Sequence, residues 1–118
     1  MEDNIRNNLL LDFYGEMLTD KQREVIRIYF ECDSSLSEIA EELGMSRQAV
    51  YDNVKVSKAQ LDMYEKKLKC VERFLANREK LVSVTKLIDN MAQETTDDNF
   101  KEKLQDIKKN IEKVIQNQ

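Results

Sequence analysis

Apolar residues recur along this chain at intervals of three and four, with polar residues between them. In "IRNNLLLDFYGEML" they occupy positions 5, 9, 10, 13, 14, 17 and 18, which predicts one stripe of a helix that Gly15 ends or bends. In "LTDKQREVIRIYF" Val25, Ile26, Tyr29 and Phe30 share one side. Thr19 followed by Gln22 fits a capping box, where hydroxyl and carboxamide each satisfy an orphan backbone N–H. "CDSSLSEIAEELG" repeats the pattern: Ser35 and Glu38 form the box, and Leu36, Ile39, Ala40 and Leu43 form the stripe. Gly44 then stands where a helix end favours a left-handed residue, and Ser46 can cap the helix that follows. Two capped helices joined by a short turn around a glycine predict a helix-turn-helix.

On a wheel of 100° per residue, the helix after Ser46 gathers Ala49, Val50, Asn53 and Val54 toward the core. Gln48, Tyr51, Asp52 and Lys55 gather on the opposite side, with Arg47 at its edge. The inward stripe continues through Ser57, Leu61, Tyr64, Leu68, Val71 and Leu75 like one side of a helical seam, then fades at Arg78. With neither Pro nor Gly after Gly44, this helix either runs on or bends near Val56 and Ser57. A new stripe comprises Leu81, Val84, Leu87, Ile88 and Met91. The polar run "AQETTDDN" reads as a linker, and Phe100, Leu104, Ile107, Ile111 and Val114 predict a last helix over about 98–117.

The expected organisation is therefore a helix-turn-helix module over 1–58 and a helical extension over 59–118. The extension cannot stand as one isolated helix. Its stripes must pack on each other as a helical hairpin, on the front module, or on a second copy of the chain. The self-complementary seam leads us to expect a homodimer.

Composition sharpens this picture. The chain has no proline and two glycines in 118 residues, and good helix formers abound, so the fold class is all-α. It holds no histidine, which removes the commonest general base and metal ligand, and two glycines cannot build a phosphate-binding loop. We expect no enzymatic activity, no cofactor and no metal. Cys32 and Cys70 lie far apart within apolar-periodic segments and are expected to be small buried hydrophobes. No apolar run approaches the ~20 residues of a membrane span, and "MEDNIRNN" lacks the start of a signal peptide, so a cytoplasmic location is expected.

The segments "LTDKQREVIRIYF" and "LSEIAEELGMSRQAV" resemble the helix-turn-helix of sigma factor region 4. The similarity is closer to the YlxM family of small bacterial sigma-region-4-like proteins, through "YGEMLTDKQRE", "EIAEELGMSRQAVYDNVK" and "YEKKL". It covers about residues 5–75; beyond them the likeness is mainly one of helical, charged sequence. The resemblance implies a sigma-region-4-like module followed by long amphipathic helices, and no enzymatic activity. It also implies a regulatory role in the signal recognition particle pathway, because genes of the family lie beside those of that pathway's two GTPases.

Charge complicates the DNA-binding reading. Residues 1–60 carry seven basic against twelve acidic side chains, a net of −5, within a chain whose formal net charge is −4. DNA affinity rests largely on neutralised phosphates. The residues expected at a duplex are Ser46, Arg47, Gln48, Tyr51, Asp52, Lys55 and Lys58, with Lys66, Lys67 and Lys69 extending a basic strip if the helix is straight. Arg47 has the donors for guanine, Gln48 the donor and acceptor for adenine, Tyr51 a ring for sugar or a thymine methyl, and Asp52 an acceptor for cytosine. The alternative is a solvated helix face with Tyr51 in a protein contact. The protein would then be an adaptor that binds the signal recognition particle protein, its receptor or its RNA, and not DNA.

Overall fold

The computed structural model describes residues 2–117; Met1 and Gln118, the outer ends of the two expected regions, lie outside them. Six α-helices and no strand occur among the described residues, and the fold is all-α. They are α1 (Glu2–Tyr14), α2 (Asp20–Glu31), α3 (Leu36–Leu43), α4 (Arg47–Leu68), α5 (Cys70–Glu94) and α6 (Asp98–Asn117), with a 3₁₀ turn over Gly15–Met17. The chain divides into two compact units, Met1–Val71 and Glu72–Gln118.

The first unit is built around α4, which packs against α1, α2 and α3. Val50, Val54, Ser57 and Leu61 are its buried residues. They meet Leu10, Leu11 and Tyr14 of α1, Leu18, Val25 and Ile26 of the next segment, and Ile39 and Ala40 of α3. Both capping boxes form as their spacing predicts: Thr19 with Gln22, and Ser35 with Glu38. Gly44 adopts φ +65° and closes α3, its backbone N–H reaching the Ala40 carbonyl. Left-handed backbone costs a β-carbon-bearing residue about 1–2 kcal/mol, which is why glycine suits this position.

Several details depart from the periodicity. On α1 the buried residues are Leu10, Leu11 and Tyr14, while Ile5, Phe13 and Met17 are well exposed. The 3₁₀ turn after Tyr14 has three residues per turn, not 3.6. It shifts the phase, so that Leu18 returns to the core and Met17 does not. Ala49, expected inward, is exposed; it lies about 100° round the helix from Val50, outside the buried arc. Cys32, expected to be buried, caps the C-terminus of α2 and is exposed, whereas Cys70 is half-buried against the core.

Of the two courses open to the helix after Ser46, it takes the longer one. It continues unbroken to Leu68. Its second half is held to the front helices by a Gln22 Nε2 to Gln60 Oε1 hydrogen bond of 2.8 Å and by the Tyr14 and Tyr64 rings, 5.9 Å apart. The expected seam does not stay continuous through Leu75, however. Lys69, at φ +57°, breaks the helix, and Leu68 and Leu75 are both partly exposed.

No glycine makes this break; a part-buried polar cluster around the buried Tyr14 does. The Tyr14 hydroxyl donates to Glu65 Oε1 at 2.7 Å and accepts the Cys70 N–H at 3.1 Å. Glu65 Oε1 also accepts the Val71 N–H at 3.0 Å. Cys70 and Val71 open α5, so these are N–H groups that no helical carbonyl reaches. Two side chains from α1 and α4 cap α5 and offset the strain at Lys69.

The second unit is an antiparallel pair. The polar linker expected over 92–99 shrinks to 95–97, since α5 runs on to Glu94. Asp97 Oδ1 accepts the N–H groups of Asn99 and Phe100 and starts α6 within the expected range. Ile88, Ala92 and Leu104 form the core of the pair, with Ile111 packed against it. Lys108 Nζ lies 2.8 Å from Asp89 Oδ1 and donates to Asp89 Oδ2 at 3.1 Å, and that hydrogen bond raises the Lys108 pKa.

Tyr14→Phe removes one acceptor and one donor from a site only 1 % exposed, and is expected to destabilise the fold by about 1–3 kcal/mol in urea titration. Burial first, then side-chain hydrogen bonds with Cys70 and Glu65, push the Tyr14 pKa well above its ordinary value, against the smaller opposite pull of the Cys70 backbone N–H. The folded state therefore favours the neutral phenol, and the unfolded phenol ionises near pH ~10. The Tyr14 contribution is complete below that pH and is lost as pH rises beyond it. The urea midpoint should fall above pH ~10, and the fall should be smaller in Tyr14→Phe.

Candidate nucleic-acid interface

The side of α4 opposite its buried stripe begins at the turn 44–46. Ser46 caps the helix: its Oγ accepts the Ala49 N–H at 3.0 Å. The hydroxyl proton remains available to donate. Arg47, Gln48, Tyr51, Asp52 and Lys55 are all exposed on the first turns. Gln48 Nε2 donates to Asp52 Oδ1 at 3.0 Å, one turn on. This contact holds the carboxamide along the helix and leaves its oxygen and second N–H open. The spacing that places Gln48 and Asp52 together is the i,i+4 relation of neighbours on a helix surface.

Arg47, Gln48 and Tyr51 line an open recess of about 440 Å³ together with Leu36. Leu36 is the first residue of α3, set there by the Ser35 cap; it packs half-buried against the core as its stripe predicts and also lines this recess. Its place at the start of a short helix is the signal for the second role. Tyr51 is 45 % exposed, so its ring has free surface beside Arg47.

Lys58 is not brought together with this group. Its Nζ sits 5.3 Å from the centroid of the Tyr29 ring, a cation–π contact with α2. There it lines a separate recess of about 550 Å³ with Tyr29, Phe30 and Asp33. Lys66 does share the direction of Gln48 and Lys55, because eighteen residues make about five helical turns along the uninterrupted α4. Lys67 points elsewhere on the wheel, and Lys69 lies past the helix end. The positive groups on the outward side are thus Arg47, Lys55 and Lys66, against two carboxylates: Asp52, and Asp62 one turn before Lys66, which lies 3.4 Å from Arg6 Nη1 of α1. Among the described residues, no cluster of three or more Cys, Asp or Glu is placed to hold a metal, and no helix is long and apolar enough to cross a membrane.

Further along the same outward side, the helix changes character. Val56 is 50 % and Met63 45 % exposed, about two turns apart. This apolar strip has no counterpart in the expected set of site residues.

A family model described as "Putative helix-turn-helix protein, YlxM / p13 like" matches residues 1–116. The chain is 39% identical over 108 residues to the UPF0122 protein of Acetivibrio thermocellus, covering 92% of each chain. It is 44% identical over 92 residues to the UPF0122 protein of Halalkalibacterium halodurans, covering 78% of this chain and 84% of that one. A UPF0122 protein of Bacillus cereus strain AH187 is 48% identical over 86 residues, 73% of this chain and 77% of its own.

Structural and surface roles on α4 separate by mutation. Ser46→Ala removes the cap and should cost about 1 kcal/mol of stability, whereas Arg47→Ala and Lys55→Ala should each change it by under about 0.5 kcal/mol. Thermal or urea unfolding of the three variants checks this. An equal loss in all three would mean that Arg47 and Lys55 serve the fold.

Proposed function

The chain belongs to the UPF0122 family of YlxM / p13-like proteins, and we propose that it is a cytoplasmic regulatory protein that reads duplex DNA with the first turns of α4. In this reading, the pair α3–α4 is a helix-turn-helix of the sigma-region-4 kind, and α4 is the recognition helix. The regulation serves the signal recognition particle pathway, in keeping with the family resemblance.

One observation carries the reading. Arg47, Gln48, Tyr51, Asp52 and Lys55 are exposed together on a helix whose other side is consumed by the core. Recognition helices reach base edges with their N-terminal residues. The Gln48–Asp52 contact holds the carboxamide in place before any duplex arrives, which lowers the ordering cost of binding. Arg47 beside it supplies a planar fork for guanine. The few outward cations make nonspecific affinity weak, in the ~10⁻⁴–10⁻⁶ M class, so specific contacts must supply much of the discrimination.

A second reading has its own observation. The half-exposed Val56 and Met63 on the outward side of α4 suit a protein partner better than a phosphate backbone. The acidic first unit also favours a basic partner. In that reading the protein is an adaptor for a targeting GTPase.

The test titrates fluorescent duplex from the promoter of the protein's own gene at two salt concentrations, with the wild type, Arg47→Ala and Gln48→Ala. DNA reading predicts salt-dependent binding and a loss of ~5–100-fold in each variant. Absence of binding at low salt, or equal affinity in all three proteins, refutes it. Co-purification with the GTPases and their RNA, compared between wild type and Val56→Glu with Met63→Glu, then probes the adaptor reading.

A further inference from the structure

The second unit is poorly covered for its length. Among its described residues only Ile88, Ala92 and Leu104 are buried hydrophobics. Seven larger apolar residues remain well exposed: Leu75, on the other side of α5, and six more, Val84, Leu87 and Met91 on α5 and Phe100, Ile107 and Val114 on α6. Fractional exposures of these six range from 41% at Val84 to 61% at Leu87.

Their placement is not scattered. At 100° per residue, Val84, Leu87 and Met91 lie roughly 90° to one side of Ile88 and Ala92. Phe100, Ile107 and Val114 lie roughly 60° to one side of Leu104 and Ile111, in the same rotational sense. Asp89 meets Lys108, and Ile88 shares a core with Leu104, so the two helices run antiparallel. In antiparallel helices, equal rotational offsets point to the same side of the pair. All six residues therefore share one face.

A helix with a single neighbour needs one apolar edge. Here each helix has two: one edge spent on its neighbour, the other unspent. That is the pattern of a helix in a four-helix bundle, where every helix touches two others. We propose that the α5–α6 hairpin is half of such a bundle, and that the other half is the same hairpin of a second copy, related by a twofold axis.

Three considerations select a second copy as the occupant. At their observed exposures the six side chains leave roughly 500 Å² of apolar surface on each hairpin, more than half of the ~800 Å² per partner of a standard stable interface. Flanking side chains supply the remainder. The charged residues nearest the face, Lys80 and Glu94 at the two ends of the α5 stripe and Lys103 on α6, include both signs, and a twofold axis near Leu87 would set Lys80 of one copy against Glu94 of the other; Ser83, Asn90, Asn99 and Asn110 lie farther out on the rim. A hairpin with so small a core also needs its cover at all times, and another copy of the chain is always present where the chain is made. The inference is independent of what α4 binds.

The test is sedimentation equilibrium of the full chain at several concentrations through the micromolar range. The expected mass is twice that of the chain; a single chain mass throughout overturns the proposal. Leu87→Glu with Ile107→Glu, both on the shared face, should weaken the dimer by ~100-fold or more. Lys86→Glu with Lys101→Glu, on the opposite side of the pair, should leave it dimeric. A dimer that survives the first pair of substitutions also overturns the proposal, since its interface lies elsewhere. Loss of dimer in that pair supports it with or without loss of helix content at 222 nm. In a wild type shown to be dimeric, residues exposed in one chain are costly to charge because the other chain covers them.

Discussion

Burial of one side of α4 is the constraint from which the rest of the first unit follows. Val50, Val54, Ser57 and Leu61 are in the core contributed by α1, α2 and α3, and each of these residues except Val54 is fully buried. Consuming that side determines which residues remain outside. A helix has no third option: with the inward arc fixed, Gln48, Asp52 and Lys55 must face away from the fold. The candidate surface is therefore a consequence of packing. Its rigidity is also inherited, because the helix that presents it is anchored along most of its length and capped at both ends.

The caps show how much was written locally. Thr19 with Gln22, Ser35 with Glu38, and Ser46 all act through hydrogen bonds within three residues, so spacing in the sequence suffices to foresee them. Gly44 is legible for the same reason, since its backbone conformation is a property of one residue. The end of α4 is different. Lys69 takes a left-handed conformation because Tyr14, fifty-six residues before Cys70, and Glu65 jointly cap the next helix. A contact between chain segments so far apart leaves no periodic trace. The stripe from Val54 to Leu75 consequently reads as one seam although a break interrupts it.

The candidate site divides along the same line. The exposure of Arg47, Gln48, Tyr51, Asp52 and Lys55 was readable from the wheel, because it depends on α4 alone. Lys58 sits near the edge of the arc, and its position over Tyr29 depends on where α2 lies. Leu36 joins the recess beside Tyr51 because α3 is short and its first residue stands at the rim. Cys32 is exposed because it ends its helix, something composition does not reveal. Local rules located the surface; tertiary packing decided its edges.

Net charge is a poor guide to what such a surface binds, and the reason is distance. Screening at physiological salt limits each charge to a range of about 8 Å, so the acidic residues of the other helices matter less than the side chains beside the ligand. On the outward side of α4, Arg47, Lys55 and Lys66 outnumber two carboxylates, Asp52, which is occupied by Gln48, and Asp62, which is paired with Arg6. The local balance is positive although the unit is negative. Three cations still neutralise few phosphates, and a protein so equipped gains little from sequence-independent attraction. It would discriminate between sequences by contacts with base edges, and would dwell little on DNA at large. Two copies of α4 held by one assembly would double the phosphate contacts and demand two correctly spaced half-sites, which strengthens selectivity as well as affinity. A helix with few outward cations and an extension whose apolar face suits self-association would then be complementary parts of one physical solution.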